Sequence, residues 1–426
     1  MRLCRILVVS AIVCGAAIPA AAQERAWFLT ANSVTEVAVT NGGREWTPTW
    51  RLALPSHGFS QPIATLGGRY LVWAASRETG SALVRLDTRT REVALFPGVV
   101  PFGVWQSAIE RRTGLLVVLD QSALYLLDVA RLAVVSRHPL PADDAENRSL
   151  AIAQQRAFVG TKTPSRSETL VLNVWTGEQI AVIPDVWIAH ASRDEGLIYL
   201  QTVGGQTQVR NVSTLALIAS AANGEVPAAH VVGNTLVSET PLGPSGMPLE
   251  IRAYDPRTLD VMFAADVPIP GTPNALVELQ QAAYASPIVL RTHNCYSLWG
   301  PDLCNRTIQV FDARTLTPVR ELRQLPFDVY QSRMVLLARP EPPLGLHPWV
   351  VDGSRIATLS WVPPPDIGEY EIVVGSGPGR SDVAVFRTQV TYVRFDGVPP
   401  GTYYIRVRAL NEIGATESVE IRVYVA

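Results

Sequence analysis

One phrase returns along this chain at intervals of about 45 residues, and it limits the fold more than any other feature. Apolar residues alternate, an Asp or Asn follows, then a few turn residues, then a second short apolar stretch. The phrase stands as ALVRLDTRTREVALF from Ala82, ALYLLDVARLAVVSRHPL from Ala123, TLVLNVWTGEQIAVI from Thr169 and TQVRNVSTLALIASA from Thr207. It returns as EIRAYDPRTLDVMFA from Glu250 and TIQVFDARTLTPVREL from Thr307, and a degenerate first copy begins at Thr35. The marker residues are Asn41, Asp87, Asp128, Asn173, Asn211, Asp255 and Asp312, spaced by 46, 41, 45, 38, 44 and 57 residues. Self-similarity at such a period is the signature of a repeat architecture.

Each marker phrase follows another strand-like run, as in Tyr70-Leu71-Val72-Trp73, Leu115-Leu116-Val117-Val118 and Leu197-Ile198-Tyr199-Leu200. A weaker apolar segment lies upstream of that, so each unit holds four strands, with the marker ending the third. Period-two alternation and β-branched content predict strands throughout. A unit of four strands and about 45 residues fits one blade of a β-propeller, and seven copies predict a seven-bladed ring. The marker Asp or Asn is expected to cap the turn between the third and fourth strands by accepting backbone N–H groups. A carboxylate set for calcium or acid–base work is the weaker reading.

The apolar-x-apolar-Asp-x-x-Thr text resembles the YVTN-type bacterial surface-layer propeller repeats over about residues 25 to 340. The YVTN tetrapeptide itself is missing, as are the Gly-His and Trp-Asp signatures of the related WD-like repeats. The resemblance implies a fold and no particular activity. The first unit opens on Ala26-Trp27-Phe28-Leu29-Thr30 with no upstream strand, while Ser332 to Leu337 is left over after the seventh. The segment 332–338 is therefore expected to supply the missing inner strand and close the ring, which would otherwise leave an open edge.

Pro340, Pro342 and Pro343 mark a linker, and beyond it the sequence changes style. Thr358-Leu359-Ser360-Trp361, Glu369 to Val374 and Gly401 to Asn411 resemble a fibronectin type III domain, an immunoglobulin-like β-sandwich, over residues 341–426. On that resemblance Trp361 and Tyr370 are core residues. Tyr403 is the tyrosine of a tyrosine corner, its hydroxyl bonding an upstream backbone group. The Arg-Gly-Asp loop of cell-adhesive members is absent. The chain as a whole is expected to be all-β, with the propeller over residues 23–340.

Arg2 and Arg5, the apolar run Ile6 to Ile18, and Ala20-Ala21-Ala22 have the order of an export leader over residues 1–22. A bacterial protein that is secreted, periplasmic or held at the cell surface is expected, with no membrane insertion after cleavage. Cys4 and Cys14 would leave with the leader. Cys295 and Cys304, nine positions apart, are then expected to form a disulfide rather than a zinc set, because no further Cys or close His completes one. A net charge of −2 with 17% charged residues gives no electrostatic reason to expect nucleic acid as partner.

Propeller geometry sends the connections between second and third strands, and those between blades, to one face. Three long ones lie close together there: His293 to Arg306 with Tyr296 and Trp299, Thr240 to Leu249, and Val267 to Asn274. Tyr296, Trp299 and His293 are the candidate ligand-binding residues, the two rings forming an aromatic platform. Packing of the same rings back onto the seventh blade is the competing reading. His190 and His230 fall in predicted inner strands, and Asp143, Asp144 and Glu146 form an acidic loop expected to be solvated. No nucleophile elbow, zinc-protease helix or phosphate loop occurs. No catalytic residue, metal or cofactor is assigned. The expected function is a non-catalytic binding or scaffold protein for an extracellular or cell-envelope protein, peptide or glycan. The alternatives are a propeller enzyme of the lactonase or quinoprotein kind with a site at the central channel, and a structural cell-surface spacer.

Overall fold

A computed structural model describes residues 24–425 except 30–32, 41–44, 55–56, 60–62, 78–79, 97–105, 111–112, 121, 142–146, 164–165, 193–195, 203, 222–228, 233–234, 242–248, 268–275, 282–286, 296–303, 313–314, 324–332, 338, 341, 352–354 and 365–366. Strands within 266–314 and 318–338 are described by their backbone. The export leader expected over residues 1–22 lies outside the described residues. The only helical piece among those described is a 3-10 turn at Leu66–Gly68. None is a helix long and apolar enough to cross a membrane. The protein is all-β.

Among the described residues, those of 24–337 form seven antiparallel sheets. Sheet 1 holds Glu24–Leu29, Ser33–Thr40 and Glu45–Ala53, and its fourth strand is Arg333–Leu337 from the far end of the run. That strand pairs antiparallel with Glu24–Leu29, with Leu29 opposite Arg333 and Arg25 opposite Leu337. In sheet 2, Tyr70–Arg77 pairs with Gly80–Asp87 on one side and with two short strands, His57–Phe59 and Ile63–Thr65, on the other. Sheets 3 to 7 are four-stranded meanders that open at Gln106, Asn147, Val186, Ala229 and Leu276.

The repeated phrase becomes a repeated turn. Asp87 Oδ1 accepts the N–H of Arg89 at 2.9 Å and of Thr90 at 3.1 Å. Asn173 accepts from Trp175 and Thr176 at 2.8 and 3.1 Å, and Asp255 from Arg257 and Thr258 at 2.8 and 2.9 Å. Asp128 and Asn211 each cap the residue three ahead at 2.9 Å. The Thr of the motif adds a second cap, since Thr176, Thr214 and Thr258 accept the N–H two residues on. Asn41 lies outside the described residues; four residues past the other six markers the backbone turns left-handed, at Arg91, Leu132, Gly177, Leu215, Leu259 and Leu316. A non-glycine residue there costs roughly 1–2 kcal/mol. Burial offsets the cost, since Leu259 and Leu316 are 7% and 2% exposed. Four of these six turns are therefore closed by a leucine, buried at Leu259 and Leu316, a part of the motif that turn propensity does not announce.

Hydrogen bonding of Asp255 by the N–H groups of Thr258 and Arg257 holds its carboxyl below the usual value. A carboxyl depressed in the folded state stabilises above its unfolded pKa of about 3.9, and the contribution is lost as pH falls through the folded value. Asp255→Asn keeps the acceptor and is expected to lie within about 0.5 kcal/mol of the parent at pH 7, whereas Asp255→Ala loses about 1 kcal/mol. Urea midpoints at pH 7 and pH 3 check both, with the Asn variant losing less on acidification than the parent.

Apolar faces pack sheet onto sheet from the first to the sixth. One cluster joins Tyr70 and Val72 of sheet 2 to Leu116 and Val118 of sheet 3, another joins Val117 and Leu119 to Leu150 and Val159 of sheet 4, and a third continues from Phe158 to Ile198 and Leu200 of sheet 5. Charged side chains then reach from one sheet to the marker turn of the following one. Arg85 Nη1 donates to the carbonyls of Val129 and Ala130 at 3.0 and 2.8 Å, and Arg156 Nη1 to those of Val212 and Ser213 at 2.7 and 2.9 Å. Glu36, 4% exposed, accepts from Arg91 at 3.1 Å. Buried carbonyls at a turn need such donors.

The C-terminal region makes two more sheets. Sheet 8 joins Leu344–Val351, Ile356–Val362 and Tyr392–Asp396. Sheet 9 joins Ala384–Thr388, Glu369–Gly375, Gly401–Asn411 and Gly414–Glu417, with Ile421–Val425 also paired to Gly401–Asn411. Trp361 and Tyr370 meet edge to face with centroids 5.3 Å apart, and the Tyr370 hydroxyl donates to the Ile367 carbonyl at 2.6 Å. The Tyr403 hydroxyl donates to the Pro399 carbonyl at 2.8 Å, the upstream backbone bond read from its sequence position.

Candidate functional site

Sheet 7 carries the candidate residues. Its two central strands, Pro287–Cys295 and Cys304–Asp312, are each nine residues long. Its outer strands are shorter, so that Leu276–Gln281 stops pairing at His293 and Pro318–Arg323 stops at Thr307. The pairs Asn294 with Asn305 and Cys295 with Cys304 therefore stand beyond both neighbours, as a two-stranded ribbon projecting from the sheet.

The sequence reading placed His293 to Arg306 in a loop, and the structure corrects it. His293, Asn294 and Cys295 continue one strand and Cys304, Asn305 and Arg306 begin the other. Their mixed residue types show no apolar alternation, and backbone pairing needs none. His293 sits opposite Arg306 on one side and Leu276 on the other. Tyr296 and Trp299 lie outside the described residues, so the platform expected of them does too. Cys295 and Cys304 are direct register partners. Opposed residues of an antiparallel pair have Cα atoms about 4.5–5.5 Å apart. That range lies inside the roughly 4.4–6.8 Å a disulfide spans.

The other candidates are dispersed. His190 is exposed on the first strand of sheet 5, and His230 lies on the first strand of sheet 6. Asp143, Asp144 and Glu146 lie outside the described residues. Among the described residues no group of three or more His, Cys, Asp or Glu is placed to hold a metal.

Two surfaces escaped the sequence reading. A shallow cleft in sheet 4 is lined by Pro141, Thr161, Thr163, Arg166, Glu168 and Gln179 among others. Arg166 pairs with Glu168 at the mouth of the hairpin that links the second and third strands, the same kind of connection as 296–303 in sheet 7. On sheet 8, Trp349 and Tyr392 are 67% and 55% exposed. Neither carries a local motif. Both arise from which side of a strand faces outward.

No protein-family model matches the chain, and no curated protein matches it. Solved structures that it resembles include "Dihydro-heme d1 dehydrogenase NirN in complex with DHE", at 16% identity and a TM-score of 0.44 over 72% of this chain and 75% of that one. The C-terminal WD40 domain of Sif2 is similar at 9% identity and a TM-score of 0.48, over 73% and 85% of the two chains. Sqt1 of Saccharomyces cerevisiae is similar at 11% identity and a TM-score of 0.42, over 62% and 78%. At such identities the likeness concerns strand architecture and transfers no activity. The run of antiparallel sheets, packed one on the next from the first to the sixth and ending in Arg333–Leu337 paired to the first, is itself consistent with a β-propeller.

Proposed function

We propose that this is an exported, non-catalytic recognition or scaffold protein: a seven-bladed β-propeller of YVTN-like repeats followed by a fibronectin type III-like module. It binds an extracellular or cell-envelope protein or glycan on the face where the sheet 7 ribbon projects. The observation that carries the reading is that ribbon, whose paired strands outrun both neighbours. A two-stranded ribbon is marginal by itself. A Cys295–Cys304 disulfide across its last pair would hold Tyr296 and Trp299 in place, and rigid aromatics are efficient binding anchors.

The test is a glycan array together with capture from a bacterial envelope fraction. The Tyr296→Ala/Trp299→Ala variant is expected to lose binding at least tenfold with its thermal midpoint unchanged. A Trp349→Ala arm separates the two aromatic surfaces: loss there, with the ribbon variant still binding, would move the site to the C-terminal module. Thiol alkylation of the denatured, unreduced protein should leave both cysteines unlabelled. Cys295→Ser should ease opening of the ribbon by about 2–3 kcal/mol, read by hydrogen exchange in residues 287–312.

A further inference from the structure

The C-terminal module touches sheet 2 through a built contact. The turn joining Gly401–Asn411 to Gly414–Glu417 is stiffened by Asn411, whose Oδ1 accepts the N–H of Ile413 at 2.9 Å and of Gly414 at 3.1 Å. At its tip the Glu412 N–H donates to the Gly67 carbonyl at 3.4 Å. The Glu412 carboxylate accepts both Nη2 and Nε of Arg89, at 2.7 and 3.4 Å. Gly67, at φ 70°, has no room to spare, since an added Cβ would lie 3.1 Å from Asn411 Cβ. Ile413 packs against one apolar cluster that runs from Trp27 and Trp73 of sheets 1 and 2 to Trp361 and Tyr370 of the module. A lone exposed ion pair contributes little. Here the Glu412 side chain is only 15% exposed, and the ion pair stands beside a backbone bond and a shared core.

The module is also the continuation of the strand that completes sheet 1. Arg333–Leu337 pairs with Glu24–Leu29, and only residues 338–343 separate it from Leu344–Val351. Arg339, in that connection, approaches the same turn, 3.3 Å from where a Cβ on Gly414 would stand. We propose that the module is a latch on the closing strand. Fixed to sheet 2 at Gly67 and Arg89, it keeps Arg333–Leu337 within a six-residue tether of its place, which spans at most about 20 Å. A strand that frays is then returned from a high effective concentration rather than lost. Opening the Glu412 contact lengthens that tether and frees the strand. The inference rests on the pairing of the closing strand and is independent of any ligand.

Hydrogen exchange on the full chain tests it, comparing the parent with Arg89→Glu, Glu412→Arg and the double reversal. Each single variant sets like charges face to face. Amides in 24–29 and 333–337 are expected to exchange at least fivefold faster in the single variants and to recover in the double, with those of sheet 4 unchanged. Faster exchange confined to 66–68 and 411–414, with the sheet 1 peptides at parental rates, would show that the contact opens without freeing the strand and would overturn the proposal. Glu412→Gln, which removes charge without reversing it, serves if a single reversal does not fold, and the same two outcomes decide.

Discussion

Replacing residues 333–337 by a flexible Gly-Ser segment of equal length should cost this protein about 5 kcal/mol and its single cooperative unfolding transition. Five register pairs, Arg25 with Leu337 through Leu29 with Arg333, disappear at once. At about 1 kcal/mol net for each backbone bond the loss approaches the whole stability of a typical domain, about 5–15 kcal/mol. Strand Glu24–Leu29 becomes an edge. Its Ala26, Trp27, Phe28 and Leu29 are at most 2% exposed in the native sheet, so the variant should also self-associate. Urea unfolding followed by tryptophan fluorescence, with light scattering alongside, reads both effects. A variant that unfolds at the parental midpoint would contradict the closure.

Gly160→Ala should be the most damaging conservative change among the described glycines, at about 3 kcal/mol or more. Gly160 lies mid-strand in sheet 4, opposite Ser149 on one side and Thr169 on the other. A Cβ there would overlap the Trp187 carbonyl at the start of sheet 5 and the Ser149 hydroxyl, which donates to that same carbonyl. The backbone of sheet 5 therefore has to retreat, and the layer formed by Phe158, Ile183, Val186 and Ile198 opens with it. Gly368→Ala is the control, because nothing lies within 4 Å of its Cβ position, and it should stay within about 0.5 kcal/mol of the parent. Thermal midpoints of the two variants settle the comparison.

Local chemistry was legible in the sequence. The Asp or Asn of the repeat caps its turn because that bond needs only three or four consecutive residues, and the Tyr403 hydroxyl finds Pro399 because the partner lies four residues away. Contacts between units left no such trace. Arg85 and Arg156 reach carbonyls 44 to 57 positions away, and nothing in their own neighbourhoods distinguishes them from solvated arginines. Glu412 is likewise one acid among many until the fold brings Arg89 to it. The ribbon of sheet 7 reads as loop because hydropathy patterning follows apolar alternation, and its paired residues, His293 to Cys295 and Cys304 to Arg306, have none. The leucine that ends four of the marker turns has no local signal, because left-handed backbone is associated with glycine, whereas Leu259 and Leu316 place a buried apolar side chain there.

The shared first sheet also has a consequence for biosynthesis. Glu24–Leu29 is among the earliest of the folded residues to leave the ribosome, yet Arg333, which pairs with Leu29, follows some three hundred residues later. Sheets 3 to 6 can assemble from neighbouring hairpins as they emerge, while the first stays unfinished until Arg333–Leu337 has been made. Through that interval Glu24–Leu29 lacks its second partner, and its apolar face has to be kept from other chains until Arg333–Leu337 arrives.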